Sequence, residues 1–262
     1  MTPPIVTFLS DFGAGSGYPA QMKGAVLQRL PSAQLVDLSH EVPRYDMLAG
    51  ALLLEACVPR FPREAVHCAV VDPGVGTARR ALCVVDGEGR RLVGPDNGLF
   101  TPFLGEESRA FALEDPRHVP APESATFHGR DLFAPVAAFL AGGGDPEWLG
   151  PRVASPVRLP WPVAVREGAR VRGECLLVDP FGNLVTSIRA TDLGGRAVRE
   201  ARVEGRAARF VRTFGDGAEG ELLVLLGSGG RVEVAVRQGS AAERFGLERG
   251  APVVLALDGA PC

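Results

Sequence analysis

Short apolar runs alternate with helically spaced apolar positions through the first 150 residues. Residues 5–10 (Ile-Val-Thr-Phe-Leu-Ser) are β-branched and apolar, which predicts a strand, and the polar turn 11–17 follows. Met22, Ala25, Val26 and Leu30 then recur at helical spacing, predicting a helix over 18–30 that Pro31 ends. The same reading gives strands at 34–38, 65–71, 81–85 and 91–93, and helices at 47–56 and 132–140. Strands alternating with helices predict an α/β domain, a central sheet flanked by helices on both faces.

The rhythm changes near residue 163. Strand-like segments at 173–178, 183–188, 201–203, 207–211, 221–226, 231–236 and 252–257 are separated by Gly and Asp turns. They predict a smaller all-β C-terminal domain, a barrel or a sandwich. Pro156, Pro160 and Pro162 mark a stiff linker within 154–162, so the expected domains are 1–157 and 163–262.

Composition narrows the functional classes. Apolar residues make up 46% of the chain, enough for a sizeable core, yet no run approaches the roughly 18–20 apolar residues of a membrane helix. No signal or transit pattern opens the sequence, so a soluble cytoplasmic protein is expected. The net charge of −3 is dispersed, and no basic tract suggests nucleic acid or an anionic membrane as a partner. The cysteines, at 57, 68, 83, 175 and 262, are odd in number and not clustered with His. They argue against a disulfide framework or a zinc site, and Cys57, Cys68 and Cys83 read as buried thiols.

Several turns carry candidate chemistry. Asp11 follows the first strand, where ligands of open α/β sheets bind. A carboxylate there can take both hydroxyls of a ribose, or merely cap the next helix. The Gly13, Gly15 and Gly17 pattern has the wrong spacing for a dinucleotide fingerprint and lacks the Lys of a phosphate loop. A third strand delivers Asp72 to a Pro-Gly turn with Arg79 and Arg80 within reach, which serves either chemistry or a structural ion pair. His128 precedes a helix, placed to position or deprotonate a water, with Arg130 and Asp131 as helix-start charges. His67 and His118 read as satisfied imidazoles, and Asp96-Asn97-Gly98 reads as a turn. In Asp179-Pro180-Phe181-Gly182-Asn183, Asn183 suits an adenine edge or a hairpin turn.

Taken in order, these segments resemble the S-adenosylmethionine (SAM) hydroxide adenosyltransferase family, relatives of fluorinase and chlorinase. The resemblance runs from 7–13 through Met22-Lys23-Gly24, Val36-Asp37-Leu38-Ser39-His40, 70–80, 94–99 and 127–135 to Phe181-Gly182-Asn183. It implies hydrolysis of SAM to adenosine and L-methionine. It also implies a homotrimer whose active sites lie between the larger domain of one subunit and the smaller domain of its neighbour. It assigns Asp72, Arg79 and His128 to the attacking water, Asp11 to the ribose, and Asn183, with Phe181, Arg237 and Gly239, to substrate binding. No cofactor and no metal are implied, SAM being the substrate. Ser16, Ser187 and the 237–242 segment depart from the family pattern, where Asp, Asn and an Asn-rich loop are usual.

The expected reaction is an in-line displacement at the ribose 5′ carbon, in which methionine leaves as a neutral thioether without acid assistance. Arg stays protonated and is a poor base, so the proton acceptor is open. The alternatives are a halide-using 5′-halo-adenosine synthase, a non-catalytic adenosine or SAM binder, and a nucleotide-binding fold with another reaction. The halide enzymes carry a Tyr-bearing turn in place of Asp72 and lack the His. A sensor would need Asp11 and Asn183 but not the Asp-Arg-His set, and the missing Gly-Lys-Ser/Thr loop counts against phosphoryl transfer.

Overall fold

A computed structural model describes residues 3–259, and the chain divides between Pro160 and Trp161 into two units. The expected linker is partly claimed by the first unit. Asp96 Oδ1 accepts from Val157 N at 2.7 Å and Thr101 Oγ1 from Leu159 N at 2.8 Å, which fastens the chain up to that point.

The first unit is built on a six-stranded sheet. Its strands are β1 (Ile5–Ser10), β2 (Gln34–Ser39), β3 (Val66–Val70), β4 (Ala81–Val85), β5 (Arg91–Pro95) and β6 (Arg109–Ala112), in the order β2-β1-β3-β5-β4-β6. The first four strands of that order run parallel, and β4 is antiparallel to both β5 and β6. Helices α1 (Tyr18–Arg29) and α3 (Ala134–Ala141) cover one face, where Phe8, Val26, Cys68, Phe133 and Val136 are wholly or almost wholly buried. Helix α2 (Met47–Cys57) lies against the other face. A side chain on Gly50 would meet Leu99 at 2.9 Å and Leu9 at 3.6 Å, so glycine permits that close approach.

The helix expected over 132–140 begins earlier, with a π-helical turn at Gly129–Phe133 that leads into α3. Ala134 N bonds to Gly129 O, and Pro135, which has no N–H to give, then sits in the first turn of α3. β6 pairs with β4, but its four residues were too few to register as an alternating run.

The second unit holds β7 (Val165–Glu167), β8 (Arg170–Val178), β9 (Leu184–Arg189), β10 (Val198–Val203), β11 (Arg206–Val211), β12 (Leu222–Leu226), β13 (Arg231–Val236) and β14 (Pro252–Leu257). The order β14-β10-β11-β12-β13-β9-β8 closes on itself because β8 pairs with β14 through Arg170–Glu174 and with β9 through Cys175–Val178. Closure removes the edges and makes a barrel, with β7 paired on β8. The all-β expectation needs correcting, because two short helices, α4 (Ala190–Leu193) and α5 (Ala241–Phe245), interrupt the strands. Each ends on a left-handed glycine, Gly194 or Gly246, and Ser240 caps α5 by accepting from Glu243 N. Four or five residues are too few to show a helical period.

Cys68, Cys83 and Cys175 are buried free thiols and Cys57 is half-buried; Cys262 lies outside the described residues. Burial pushes the Cys83 and Cys175 thiols up to about 12, so they are packing groups rather than nucleophiles. Among the described residues, no helix is long and apolar enough to cross a membrane.

Candidate active site

Three loops meet at the carboxyl edge of the first sheet. β1 and β3 are adjacent and parallel, with Ser10 opposite Val70, so Asp11 and Asp72 leave neighbouring strand ends. The third loop carries His128. Phe127 packs edge-on against Phe12 at 5.8 Å and Tyr18 at 5.2 Å, tying the His128 segment to the Asp11 loop. Gly76, at φ +75°, brings the Asp72 turn against the same segment. A side chain there would strike Ala125 O at 2.7 Å, and the left-handed backbone suits glycine.

Asp72 and Arg79 form a nearly buried ion pair, with side chains 4% and 11% exposed. Arg79 Nε donates to both carboxylate oxygens, at 2.9 and 3.0 Å, and Nη2 donates to Oδ2 as well. Such a fork fixes the guanidinium plane, which also lies over the Phe133 ring of the π-helical turn, 5.3 Å from its centroid. Nη2 then donates to His128 Nδ1 at 2.9 Å. An arginine has only donors, so Nδ1 must accept, and the neutral imidazole carries its hydrogen on Nε2. Burial, and then the Arg79 charge, hold the His128 pKa below its ordinary value of 6.5, so the ring is neutral at pH 7.

Arg80, the other candidate beside Asp72, instead turns away to Asp96, with Nε 2.7 Å from Oδ2. Asp96 and Asn97 hold structure, Asn97 Nδ2 donating to Val71 O at 2.7 Å. Arg130 pairs with Asp131, which also accepts from Ser124 N. Asp11 does not cap α1, whose Ncap is Gly17. Its Oδ2 accepts from Tyr45 N at 2.9 Å, leaving the rest of the carboxylate's acceptor capacity. His67 is fully buried, with Thr7 Oγ1 2.8 Å from Nδ1, and His118 packs on Phe139 and Trp148.

In the barrel unit a cavity of about 990 Å³ is lined by Asp179, Phe181, Asn183, Phe214, Glu233 and Gly239, among others. That volume suits an organic ligand of nucleoside size. Asp179 organises this wall. Its Oδ1 accepts from the backbone of Phe181 and Asn183, and its Oδ2 from Asn183 Nδ2 at 3.0 Å. Gly182, at φ +80°, packs where a side chain would collide with Ser240. Burial, and then the Asp179 charge, raise the Glu233 pKa above its ordinary value. Arg237 turns its guanidinium to Gly217 O at 2.7 Å and so braces a loop.

The structure therefore gathers Asp11, Asp72, Arg79 and His128 at one edge of the first sheet, and Phe181, Asn183 and Gly239 around a cavity in the barrel. Asp179 and Glu233 were not singled out from the sequence. The only signal was for Asp179, standing four residues before Asn183 in an Asx-type turn. The unusual residues serve the scaffold. Ser16 Oγ donates to Gly13 O, and the buried Ser187 Oγ accepts from Glu174 N.

Comparison with known proteins gives the same two-domain arrangement. Residues 6–150 match the SAM hydroxide adenosyltransferase N-terminal domain and residues 173–254 its C-terminal domain. An (R)-S-adenosyl-L-methionine hydrolase of Thermus thermophilus is 46% identical over 260 residues, covering 95% of this chain and 98% of its own. A fluorinase of Actinoplanes is 27% identical over 290 residues, covering 96% and 97%. The crystal structure of an uncharacterized conserved protein from Thermotoga maritima matches with a TM-score of 0.89 at 34% identity, covering 96% of this chain and 99% of that one.

Proposed function

The chain belongs to the SAM hydroxide adenosyltransferase family, and we propose that it hydrolyses SAM to adenosine and L-methionine by attack of water on the ribose 5′ carbon. The C5′–S bond breaks as the C5′–O bond forms, the sulfur keeps the electron pair, and the water's second proton goes to solvent. Methionine leaves as a neutral thioether, so the chemistry asks for no acid, metal or cofactor.

The observation that carries this reading is the linked set Asp72–Arg79–His128 beside Asp11. Asp72 holds Arg79, Arg79 holds the imidazole, and the tautomer so imposed presents Nε2–H as a donor. His128 in this state holds the attacking oxygen in line rather than taking its proton. The Asp72–Arg79 pair is net neutral and offers no uncompensated positive charge to a halide anion, which favours water as the nucleophile. Asp11 takes the ribose hydroxyls. Asn183, held by Asp179, reads the adenine edge, with Phe181 and Gly239 beside it.

We extend the proposal to a cytoplasmic homotrimer in which one copy's Asn183 half serves another copy's Asp72 half. Phe181, Tyr18 and Tyr45, large side chains 78%, 52% and 66% exposed, support a covered surface in the assembly. Light scattering tests the trimer. Mixing Asp72→Asn and Asn183→Ala chains under exchange conditions tests the shared site, because mixed trimers would contain sites with wild-type kcat and wild-type KM together, which neither parent shows.

The direct test is chromatography of the protein incubated with each sulfonium epimer of SAM, since the Thermus thermophilus relative is named an (R)-S-adenosyl-L-methionine hydrolase. Release of adenosine and methionine supports the reading. 5′-Chloro-adenosine in excess chloride would replace water with halide, and ligand protection without any product would reduce the protein to a binder.

A further inference from the structure

Two segments of the family resemblance, Met22-Lys23-Gly24 and Val36–His40 of the second strand and its exit, have no part in the reaction as described. The fold joins them. Ser10 Oγ lies 2.7 Å from His40 Nδ1, His40 Nε2 lies 3.0 Å from Asp37 Oδ1, and Lys23 Nζ lies 2.5 Å from Asp37 Oδ2. Lys23 is the only lysine of the chain. Ser10 is fully buried and His40 is 6% exposed, while Asp37 and Lys23 reach solvent. The chain of contacts thus runs from the surface inward to the residue directly before Asp11.

The Asp37 carboxylate only accepts, so a neutral His40 ring gives it Nε2–H and accepts at Nδ1 from the Ser10 hydroxyl, whose oxygen also accepts from the Phe12 amide at 3.4 Å. The connectivity is that of a nucleophilic serine triad, but a serine with no exposed surface cannot meet a substrate. What the chain does reach is the Asp11 loop. The loops at 10–14 and 40–45 are fastened by Gly13 N to His40 O at 2.8 Å, Val42 N to Ser10 O at 3.3 Å, and Ala14 N to Glu41 Oε1 at 2.5 Å. Tyr45, at φ +64°, adopts a left-handed backbone that non-glycine residues seldom take, and its amide donates to Asp11 Oδ2. His40 stands at the root of this second loop, so its ring fixes where the fastening begins.

We propose that Ser10, His40, Asp37 and Lys23 form a positioning chain that sets the pose of the Asp11 carboxylate and makes the site selective for an intact ribose diol. The proposal rests on the reading of Asp11 as the ribose carboxylate. None of the four is a catalytic residue, since each acts through Asp11.

The test is calorimetric binding of adenosine and of 2′,3′-dideoxyadenosine to wild type, His40→Ala, His40→Asn and Ser10→Ala, together with kcat and KM for SAM. His40→Ala is expected to weaken adenosine about tenfold or more and leave the dideoxy analogue unchanged. The KM for SAM should rise by a similar factor with kcat within about threefold. His40→Asn, which keeps an acceptor facing Ser10, should recover most of the loss. In an Asp11→Asn background His40→Ala should add nothing. Equal weakening of both nucleosides, or the same loss in both backgrounds, would overturn the proposal. If His40→Ala does not fold, Ser10→Ala removes only the inner link and is held to the same outcomes. Wild type that binds both nucleosides equally would refute the chain and leave the reaction standing. Wild type that prefers adenosine but releases none from SAM would refute the reaction and leave the chain to the binding comparison.

Discussion

In the α/β unit Asp72 and Arg79 pair as nearly buried charges, whereas in the barrel cavity the Asp179 carboxylate is engaged in holding the Asn183 amide, beside backbone groups and an exposed Phe181. Asp72, Arg79 and His128 are locked to one another by charge-assisted bonds before any ligand arrives. Asn183 is held by one carboxylate, Asp179, and keeps its amide oxygen for a partner. On the proposed reading the two halves do different work. Fixed charges in a poorly solvated place act on a transition state, while a neutral amide beside apolar surface recognises an edge and a face.

The largest effect should come from breaking the α/β half. Arg79→Ala leaves the Asp72 carboxylate buried without its partner and frees the His128 tautomer, and His128→Ala removes the oxygen-holding donor. Each should lower kcat by about 10²–10³ with a smaller change in KM, measured by adenosine release. Near-native turnover in His128→Ala would erase the contrast.

Acid should separate the halves next. Burial, and then the Arg90 charge, lower the His67 pKa to about 4, while in the unfolded chain it returns to its ordinary 6.5. Between those values only the unfolded chain binds the proton, so the α/β unit loses about 3 kcal/mol as pH falls through that window. Glu233 in the barrel has a raised pKa, so its contribution runs the other way and favours the folded unit as pH falls. Each unit holds one tryptophan, Trp148 or Trp161, so the Trp161→Phe and Trp148→Phe variants report them separately by fluorescence. Acid sensitivity confined to the Trp148 signal, and flattened by His67→Asn, is the expected result.

Breaking the barrel half should give a smaller effect on binding. Asn183→Ala should raise the KM for SAM about tenfold with kcat nearly kept, and should lose discrimination between adenosine and inosine, measured by calorimetry. The smallest effect is a displaced acid limb. Because the His128 pKa is lowered, activity should persist as pH falls through 6.5 and fail only below it, and Arg79→Gln should move the ring's NMR titration upward.

The two halves also differ in how much could be read without coordinates. The bounds of β1, β4, β13 and β14 follow from short apolar runs closed by polar or glycine turns. The Asp72, Arg79 and His128 turns were visible as candidate chemistry at strand and helix ends; the residues alone left Arg79 and Arg80 both within reach of Asp72, the family resemblance pointed to Arg79, and the structure pairs Arg79 with Asp72 and Arg80 with Asp96. What escaped depends on contacts across the fold. Ser10 and His40 stand thirty positions apart and meet only because β1 and β2 lie side by side. The π-helical turn, α4 and α5 are too short for a period to show, and the hold of Asp179 on Asn183 is a side-chain choice within a turn that the sequence permits but does not dictate.

The central claim is that solvent oxygen becomes the 5′ hydroxyl of the product. Turnover of SAM in water enriched in the heavy oxygen isotope, with mass spectrometry of both products, tests it most directly. The label should appear at the 5′ oxygen of adenosine and be absent from methionine. Unlabelled adenosine, or a label carried by methionine, would contradict attack of water at that carbon.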